Sequence, residues 1–326
     1  MVLLLLSFIL ILLASIGFTL LFDLKDIKLF IIFSFLAFFS NIVLTFEFLS
    51  LFSAINSRNV LLLNFLFLIF SLLLLKFRKS KIVFPEFDLK SFYNRFINAL
   101  KLDKILAVLV VSVIVMLFGV CFLDAILPIT NADAADYHVL RSIFWLINGN
   151  VNHFPIADVR ALCLPINSEL LYAWMILFTK KIVFIGFVSL AGYSIAIISI
   201  WGLMSGYCVR KRLWTIGILS SLASVIIQLS GTETDVFVSG LVLSSMFIYK
   251  SALMQDEKSI NPKLFMASLA YALAVGTKTP AIMAIPAIAV FFLFYGNRYR
   301  SSNNLKYFGV FCLFSILNFV LVPFMP

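Results

Sequence analysis

The feature that most constrains this chain is a series of long apolar runs, nearly free of charged residues, that recur from one terminus to the other. A run of about 17 to 25 apolar residues can cross the hydrocarbon core of a bilayer as a helix. The helix is the expected element because lipid offers no hydrogen-bond partners to an open backbone. The sequence therefore predicts an all-α, polytopic membrane bundle of about ten transmembrane helices. The predicted spans are 1–22, 29–55, 60–75, 105–127, 182–207, 213–230, 235–250, 262–277, 280–296 and 305–325.

Composition narrows the class of protein further. Hydrophobic residues make up 63% of the 326 residues and charged residues only 12%. A soluble domain is nearer half apolar and a quarter charged. This excludes a soluble enzyme, a nucleic-acid-binding module and a disordered chain, and it makes membrane lipid the first expected partner. The cysteines show no metal-ligand spacing and there are only two histidines, so neither a zinc site nor a disulfide framework is predicted.

The basic residues predict how the bundle is oriented. Clusters of Lys and Arg follow the third, fifth and ninth predicted spans, at 76–81, 210–212 and 298–300. Placing these clusters in the cytoplasm puts most of the other basic residues there as well, as the positive-inside rule requires. We therefore expect a plasma-membrane protein with both chain ends outside. Residues 76–104 predict an amphipathic helix on the cytoplasmic surface. Residues 168–179 are too short to cross and predict a half-inserted or interfacial helix on the outer side.

Three polar segments fall together on the predicted outer face. They are a long loop at 128–168, expected to carry short interfacial helices, and the turns GTETD at 231–235 and GTKTP at 276–280. The three segments connect different pairs of predicted helices. Their position on the same side of the membrane therefore suggests a shared site.

The long loop contains the first candidate acids. Asp133, Asp136 and Tyr137 are spaced i, i+3 and i+4, so on a helix they share one face. An alternative is helix capping, with Thr130 or Asn131 as the N-cap and Asp133 opposing the helix dipole. The neighbouring His138, taken alone, is more typical of a hydrogen-bonded structural residue than of a ligand.

The turn GTETD has a structural interpretation and a functional one. Gly231 can end one helix while Thr232 caps the next, with an acid three positions on. The same turn places Glu233 and Asp235 at the mouth of the bundle.

The turn GTKTP is similar, with Gly276 as a C-cap and Pro280 near the first position of the next helix. Capping does not explain Lys278, a cation at the end of an apolar helix that faces a group of acids. A charge at such a position is a candidate functional residue.

The order of these motifs resembles that of a known group of enzymes. DAADYH at 133–138 is followed by Arg141, a Trp-containing helix and Asn148-Gly149, then by ELLYAW and the two polar turns. This arrangement is similar to the membrane glycosyltransferases of the GT-C superfamily, related to the protein mannosyltransferase and aminoarabinose transferase group. The similarity covers about two thirds of the chain, 105–326. We therefore divide the chain into a three-span N-terminal extension with its amphipathic segment, 1–104, and a GT-C-like catalytic module.

The resemblance implies transfer of a sugar from a polyprenyl-phosphate donor to a glycan, lipid or protein acceptor at the outer face. By motif, Asp133 best matches the catalytic base and Asp136 comes second. The family usually has an acid directly after the first Asp, where this chain has Ala134. Asp235 matches the acid at the start of a later span, and Lys278 the lysine near the carrier phosphate.

The chemistry of the residues agrees with these roles. A carboxylate can take the proton of an attacking hydroxyl, and a fixed cation stabilises the phosphate leaving group. Direct displacement would invert the anomeric centre. Further residues expected to bind donor or acceptor are Arg141, Tyr137, His138 and Glu233, with Arg160 as a second candidate arginine. No cofactor is assigned, although a divalent ion between Asp133 and Asp235 is compatible with the pattern.

Two other interpretations stay open. A transporter or lipid flippase is a different class of function, and Glu47, an acid inside the second predicted span, is the feature that favours it. A non-catalytic GT-C-like member is the other, because the family commonly continues with further helices or an outer domain beyond the point where this sequence stops.

Overall fold

The computed structural model describes residues 1–78, 82–127, 131–155, 158–254, 260–300 and 304–321. Within these ranges the chain is helical, and the only extended pairing is an isolated bridge between Asp26 and Glu86. The helices are α1 (Val2–Thr19), α2 (Ile27–Ser50), α3 (Ser57–Phe77), α4 (Leu89–Leu102), α5 (Lys104–Ile126), α6 (Val139–Asn148), α7 (Arg160–Cys163), α8 (Asn167–Thr179), α9 (Phe187–Leu203), α10 (Val209–Ser220), α11 (Ala223–Leu229), α12 (Asp235–Leu253), α13 (Ile260–Thr277), α14 (Ile285–Arg300) and α15 (Asn304–Leu321).

Several of these helices could span a membrane. Among the described residues, five are long and apolar enough: α1 with a short 3₁₀ extension, α2, α3, α5 and α12. A sixth span is possible if α10 and α11, which meet at a bend of 70°, are counted as one. The all-helical fold and the presence of apolar helices that could cross a membrane are therefore confirmed. Lys79, Lys81 and residues 322–325 of the last predicted span lie outside the described residues.

The core is centred on α9, α12 and α13, and the N-terminal helices pack onto it. α9 and α12 approach closely at two glycines: a Cβ placed on Gly240 would lie 2.3 Å from the carbonyl oxygen of Gly192. The ring of Phe39 in α2 packs edge-on against Phe237 in α12 at 5.2 Å. α1 contacts α8 through a hydrogen bond from Trp174 Nε1 to Ser7 Oγ, at 2.8 Å.

The position of α8 differs from the prediction. We expected 168–179 to be half-inserted or interfacial, but nearly every residue of α8 is buried inside the bundle. The reason is its side chains: Leu170, Leu171, Tyr172 and Trp174 point in all directions around the helix, which leaves no polar face for lipid headgroups. The interfacial alternative is therefore wrong, whereas the half-inserted alternative, a short helix enclosed by other helices, stays a prediction.

The amphipathic helix expected in 76–104 is present as α4. The side chain of Asp88 caps its first turn by accepting a hydrogen bond from Ser91 N at 2.9 Å. One face of α4 packs through Phe96 and Ala99 against Leu213 of α10.

The bundle has two ends of opposite character. α5 rises about 34 Å from Lys104 to Ile126, so the segments before and after it lie at opposite ends. We call one the basic end, defined by Lys90, Arg95, Lys101, Lys104, Arg210, Lys211 and Arg212. We call the other the acidic end, defined by Asp133, Asp136, Asp158, Glu233 and Asp235.

Candidate functional site

The DAADYH motif forms a widened, π-helical turn at Ala134–His138 that leads into α6. Three side chains of this turn meet the guanidinium of Arg160. Its Nη1 donates to Asp133 Oδ1 at 2.8 Å, and its Nη2 donates to Asp136 Oδ2 at 3.2 Å. Its central carbon lies 4.7 Å from the centre of the Tyr137 ring. The predicted common face of Asp133, Asp136 and Tyr137 is therefore confirmed.

A third acid completes this group, which we call the Arg160 cluster (Arg160, Asp133, Asp136 and Asp158). Arg160 Nε and Nη2 donate to both oxygens of Asp158, at 2.7 to 3.1 Å. Hydrogen bonding to Arg160 lowers the pKa of Asp158, and the same contacts raise the pKa of Arg160. Three carboxylates thus share one cation, and Asp133, Asp136 and Arg160 are each about half exposed.

A second group of charges is buried directly behind the first. Glu169, at the start of α8, lies 2.7 Å from His138 Nδ1 through its Oε1 and forms an ion pair with Arg141. Its Oε2 accepts a hydrogen bond from Ser168 Oγ at 2.7 Å. We call these four residues the Glu169 cluster. Burial alone would raise the pKa of Glu169, but the charge of Arg141 and the bond with His138 outweigh it and lower that pKa to about 2.

Arg141 is enclosed by the Glu169 cluster and does not face outward. Its side chain is only 1% exposed. Its two terminal nitrogens also bind the loop before α8: Nη1 donates to the carbonyls of Ala161 and Leu164, and Nη2 to that of Pro165, at 2.9 to 3.1 Å. We expected Arg141 to bind the donor phosphate. This placement does not support that role, because the guanidinium is sealed from ligands.

His138 and Tyr137 link the two clusters. His138 is buried against Glu169, as the structural interpretation of this residue expects. Its ring lies 4.0 Å from the ring of Tyr137. Burial, together with the charges of Asp133 and Glu169, raises the pKa of Tyr137 to about 12.

The turn GTETD contacts the DAADYH segment directly. Thr232 Oγ1 donates to Asn131 Oδ1 at 3.3 Å, and the Thr232 carbonyl accepts from Tyr172 OH at 3.1 Å. The predicted cap at Thr232 is wrong, because Thr234 occupies the N-cap position of α12 and the Thr232 hydroxyl is turned toward Asn131. The helical segment that carries DAADYH begins directly after Asn131, but the Asn131 side chain accepts from Thr232 and caps no backbone N–H of the described residues. The other N-cap candidate, Thr130, lies outside the described residues.

The turn GTKTP contacts both other segments. Lys278 Nζ lies 2.5 Å from Asp235 Oδ1, and the other oxygen of Asp235 accepts from Gln228 Nε2 at 3.2 Å. Gly276 lies inside the last turn of α13, which ends at Thr277, so the predicted C-cap is two residues too early. Its Cα faces the buried side chain of Asn167, at the start of α8. Pro280 does occupy the start of the next helical segment, as predicted.

All three predicted polar segments therefore meet at the acidic end. Glu233 is half-buried and forms no ion pair with any described residue, although its carbonyl accepts from Ser189 Oγ at 3.4 Å. The residues that sequence reasoning missed are Glu169 and Asp158. Glu169 had one signal, since it is a lone acid in an otherwise apolar helix, and this signal went unused.

A divalent metal does not fit this arrangement of carboxylates. Asp133 already binds a guanidinium, and both oxygens of Asp235 are occupied by Lys278 and Gln228. Within the described ranges, no group of three or more His, Cys, Asp or Glu side chains is placed to hold a metal ion. A hard cation prefers six or more oxygen ligands. Asp133 and Asp235 therefore do not form such a site here.

An apolar cavity of about 630 Å³ lies beneath the acidic end, between α1, α2, α8 and α9. Its wall includes Leu171, Val188 and Phe237, which are each within two residues of a polar group described above. Leucine and aromatic side chains of α1, α2 and α8 also line the cavity, among them Leu5, Phe8, Phe38 and Trp174. The acidic end thus combines charged side chains with an adjoining space suited to hydrocarbon.

Comparison with protein-family models, with characterised proteins and with solved structures gives no match to this chain. Its function is therefore inferred from the site itself.

Proposed function

We propose that this chain is an integral membrane glycosyltransferase of the GT-C type. In this proposal it moves a sugar from a polyprenyl-phosphate donor to an acceptor hydroxyl at the acidic end, with Asp133 as the general base. The observation that carries the proposal is the meeting of three separate polar segments at one end of the bundle. That end holds an exposed carboxylate, a turn lysine and an adjacent apolar cavity.

The geometry of Asp133 suits a base. Arg160 binds only its Oδ1, and no described residue donates a hydrogen bond to its Oδ2. One oxygen is thus held in place while the other is open to an acceptor hydroxyl. Asp136 and Asp158 bind the same guanidinium and help to hold it beside Asp133.

The reaction balances as a single displacement. The acceptor oxygen forms a bond to the anomeric carbon while the bond from that carbon to the phosphate oxygen breaks. The electron pair leaves with the polyprenyl phosphate, and the hydroxyl proton passes to Asp133. The configuration of the anomeric carbon is inverted. Lys278, held by Asp235, is the cation placed to stabilise the charge that develops on the phosphate.

Arg160, not Arg141, is the arginine available to ligands. Its side chain is 45% exposed, whereas that of Arg141 is 1% exposed. In this proposal Arg160 orients Asp133, and Tyr137 and Glu233 line the acceptor side. Arg141 and His138 act through Glu169 as positioning residues.

The apolar cavity supports a lipid-linked donor. Its aromatic and aliphatic lining suits the hydrocarbon tail, which leaves the phosphate near the acidic end. We further propose that about ten helices cross the plasma membrane, with the acidic end outside, because the cations of the basic end then face the cytoplasm.

Replacement of Asp133 by Asn tests this proposal. We expect sugar transfer to fall by about 10²- to 10⁴-fold, the usual contribution of a general base. The measurement is mass spectrometry of lipid and glycan fractions from membranes with and without the protein. Asp88→Asn is the matched control: it is the same change at the basic end, and Asn still caps α4. Full transfer by Asp133→Asn would remove the assignment of the base.

A transporter or flippase is the second candidate, and one observation favours it. Glu47 in α2 is only 7% exposed, and no described residue bonds its Oε1. Ionisable groups inside membrane helices often mark a transport path. Uptake of a labelled lipid-linked sugar into vesicles, abolished by Glu47→Gln and without any glycosylated product, would support this function over transfer.

A further inference from the structure

The basic end carries a surplus of positive charge that the described part of the chain does not neutralise. Residues 88–104 and 208–214 contain seven basic side chains and two acidic ones. Among the described residues, none of the seven lies within ion-pair distance of an acid. The two acids are engaged locally. Asp88 caps α4, and Asp103 accepts from Leu106 N at 3.1 Å and from Trp214 Nε1 at 2.9 Å.

α4 also keeps part of its apolar surface uncovered. Phe96 and Ala99 pack against the bundle, but Leu89 and Tyr93, on the adjoining flank, are 66% and 60% exposed. Successive residues of an α-helix are rotated by about 100° around its axis, and this rotation places Lys90 and Lys101 at the border of the exposed flank. An apolar strip bordered by lysines is typical of a helix that lies at a membrane surface.

The position of α4 in the chain places it at the membrane boundary. The apolar helix α5 begins at Lys104, two residues after α4 ends. Since α5 is among the helices that could span the membrane, its first turn lies at the level of the lipid headgroups. The cations of α4 and of the first turn of α10 are therefore at headgroup height, where long basic side chains can reach phosphates.

Two of these cations are oriented in advance by aromatic rings and backbone carbonyls. The guanidinium of Arg212 lies 5.3 Å from the centre of the Trp201 ring, and that ring packs against Phe92 of α4 at 5.6 Å. Arg212 Nε also donates to the Tyr207 carbonyl at 2.8 Å. Lys211 Nζ lies 5.9 Å from the Tyr207 ring. Arg212 is thus held near Phe92, which lies one helical turn before Arg95 in α4.

A shallow depression of about 300 Å³ adjoins these residues on the polar side of α4. It is lined by Asp88, Lys90, Ser91, Asn94, Arg95 and Asn98. Its hydroxyl and amide groups can donate to phosphate oxygens, and its two cations supply charge.

We propose that this surface, formed by α4 and the first turn of α10, binds anionic phospholipid headgroups of the bilayer leaflet at the basic end. The exposed flank at Leu89 and Tyr93 inserts among the acyl chains, while Lys90, Arg95 and Lys101 contact the phosphates. Bound anionic lipid then holds α4 against α5 and α10. This proposal is independent of the chemistry at the acidic end.

The test is thermal unfolding of the purified full chain in a neutral detergent, titrated with phosphatidylglycerol or with phosphatidylcholine. We expect phosphatidylglycerol alone to raise the melting temperature. Each cation near an anionic surface contributes roughly fivefold in affinity. The triple variant Lys90→Gln, Arg95→Gln, Lys101→Gln should therefore need up to about 100-fold more phosphatidylglycerol for the same shift. The matched control is Arg58→Gln, Lys180→Gln, Lys181→Gln, which removes three exposed cations elsewhere and should respond like the wild type.

Three results would overturn the proposal. One is an equal shift with phosphatidylcholine, and another is an equal loss of response in both triple variants. The third is full stabilisation by free inorganic phosphate, which would assign the surface to a soluble anion. If the triple variant does not fold, the same phosphatidylglycerol titration is carried out on the wild type in 0.5 M salt. Screening at that ionic strength should weaken the response to phosphatidylglycerol and leave unfolding in detergent alone unchanged.

Discussion

The acidic and basic ends of this bundle differ in how their charged side chains are paired. Among the described residues, most ion pairs at the acidic end join distant parts of the sequence. Asp133 and Arg160 are 27 residues apart, and Asp235 and Lys278 are 43 apart. At the basic end the seven cations form no ion pair with any described residue. Of the two acids there, Asp88 caps α4, and Asp103 caps α5 and also accepts from Trp214 Nε1.

This contrast indicates different uses for the two ends. Paired charges hold side chains in one geometry, which a reaction needs because it depends on the placement of groups. Cations without an ion-pair partner suit a diffuse anionic partner such as a lipid surface. The predictions below test whether the acidic end depends on its pairs and the basic end only on local structure.

The largest expected effect is loss of the Glu169 cluster. Glu169→Gln leaves Arg141 buried without a compensating charge, so we expect the free energy of unfolding to fall by about 3–5 kcal/mol. Chemical unfolding in detergent at pH 7 measures the change. Glu233→Gln is the matched control at the same end, where the carboxylate is half-buried and has no ion pair among the described residues. Equal stability of the two variants would contradict a structural role for the cluster.

The same cluster predicts a pH dependence. Because the pKa of Glu169 is lowered from 4.5 to about 2, its ionised form stabilises the fold fully above about pH 4.5. This contribution is lost as the pH falls through the folded-state value. The difference in melting temperature between wild type and Glu169→Gln should therefore shrink between pH 4.5 and pH 2. A difference that stays constant down to pH 2 would show that the charge of Glu169 is not the cause.

A smaller effect is expected where α9 and α12 support the acidic end. In Gly240→Ala the new methyl group would lie 2.3 Å from the Gly192 carbonyl oxygen, so the two helices must separate. We expect a loss of about 1–3 kcal/mol in the free energy of unfolding. Gly119→Ala in α5 is the control, since a Cβ there meets no atom within 4 Å. If both alanines behave alike in chemical unfolding, the close approach of α9 and α12 is not a constraint.

The smallest effect is expected at the basic end. Asp88→Ala removes the cap of α4 and should cost about 1 kcal/mol. That cost should appear locally, as roughly fivefold faster amide hydrogen exchange within α4. Asp88→Asn, which can still cap, should exchange like the wild type. Faster exchange throughout the bundle would mean that α4 is coupled to the core more tightly than its single packed face suggests.

Much of the fold and part of the site could be predicted from the sequence. The apolar runs identified the helices, and the i, i+3, i+4 spacing placed Asp133, Asp136 and Tyr137 on a common face. The meeting of the three polar segments followed from counting spans and basic residues. These predictions succeeded because they depend on periodicity and composition, which are local properties.

The wrong predictions concern residues whose position depends on contacts with distant parts of the chain. α8 was assigned to the interface from its length, but its surroundings bury it on all sides. Thr232 was assigned as a cap from its spacing, but it donates to Asn131, which is 101 residues away. Glu169 was passed over because its partners His138 and Arg141 lie 31 and 28 residues before it.

From the sequence alone we could infer an all-helical membrane protein with acids and a lysine gathered at one end. The pattern of apolar residues is enough for this inference, because the hydrophobic effect is non-directional and depends on the apolar area of each side chain. Only the tertiary structure decided that Arg160 and not Arg141 is open to ligands, and that Glu169 holds the motif in place. Charge pairs depend on distance and exposure, and these exist only once segments remote in sequence have packed together.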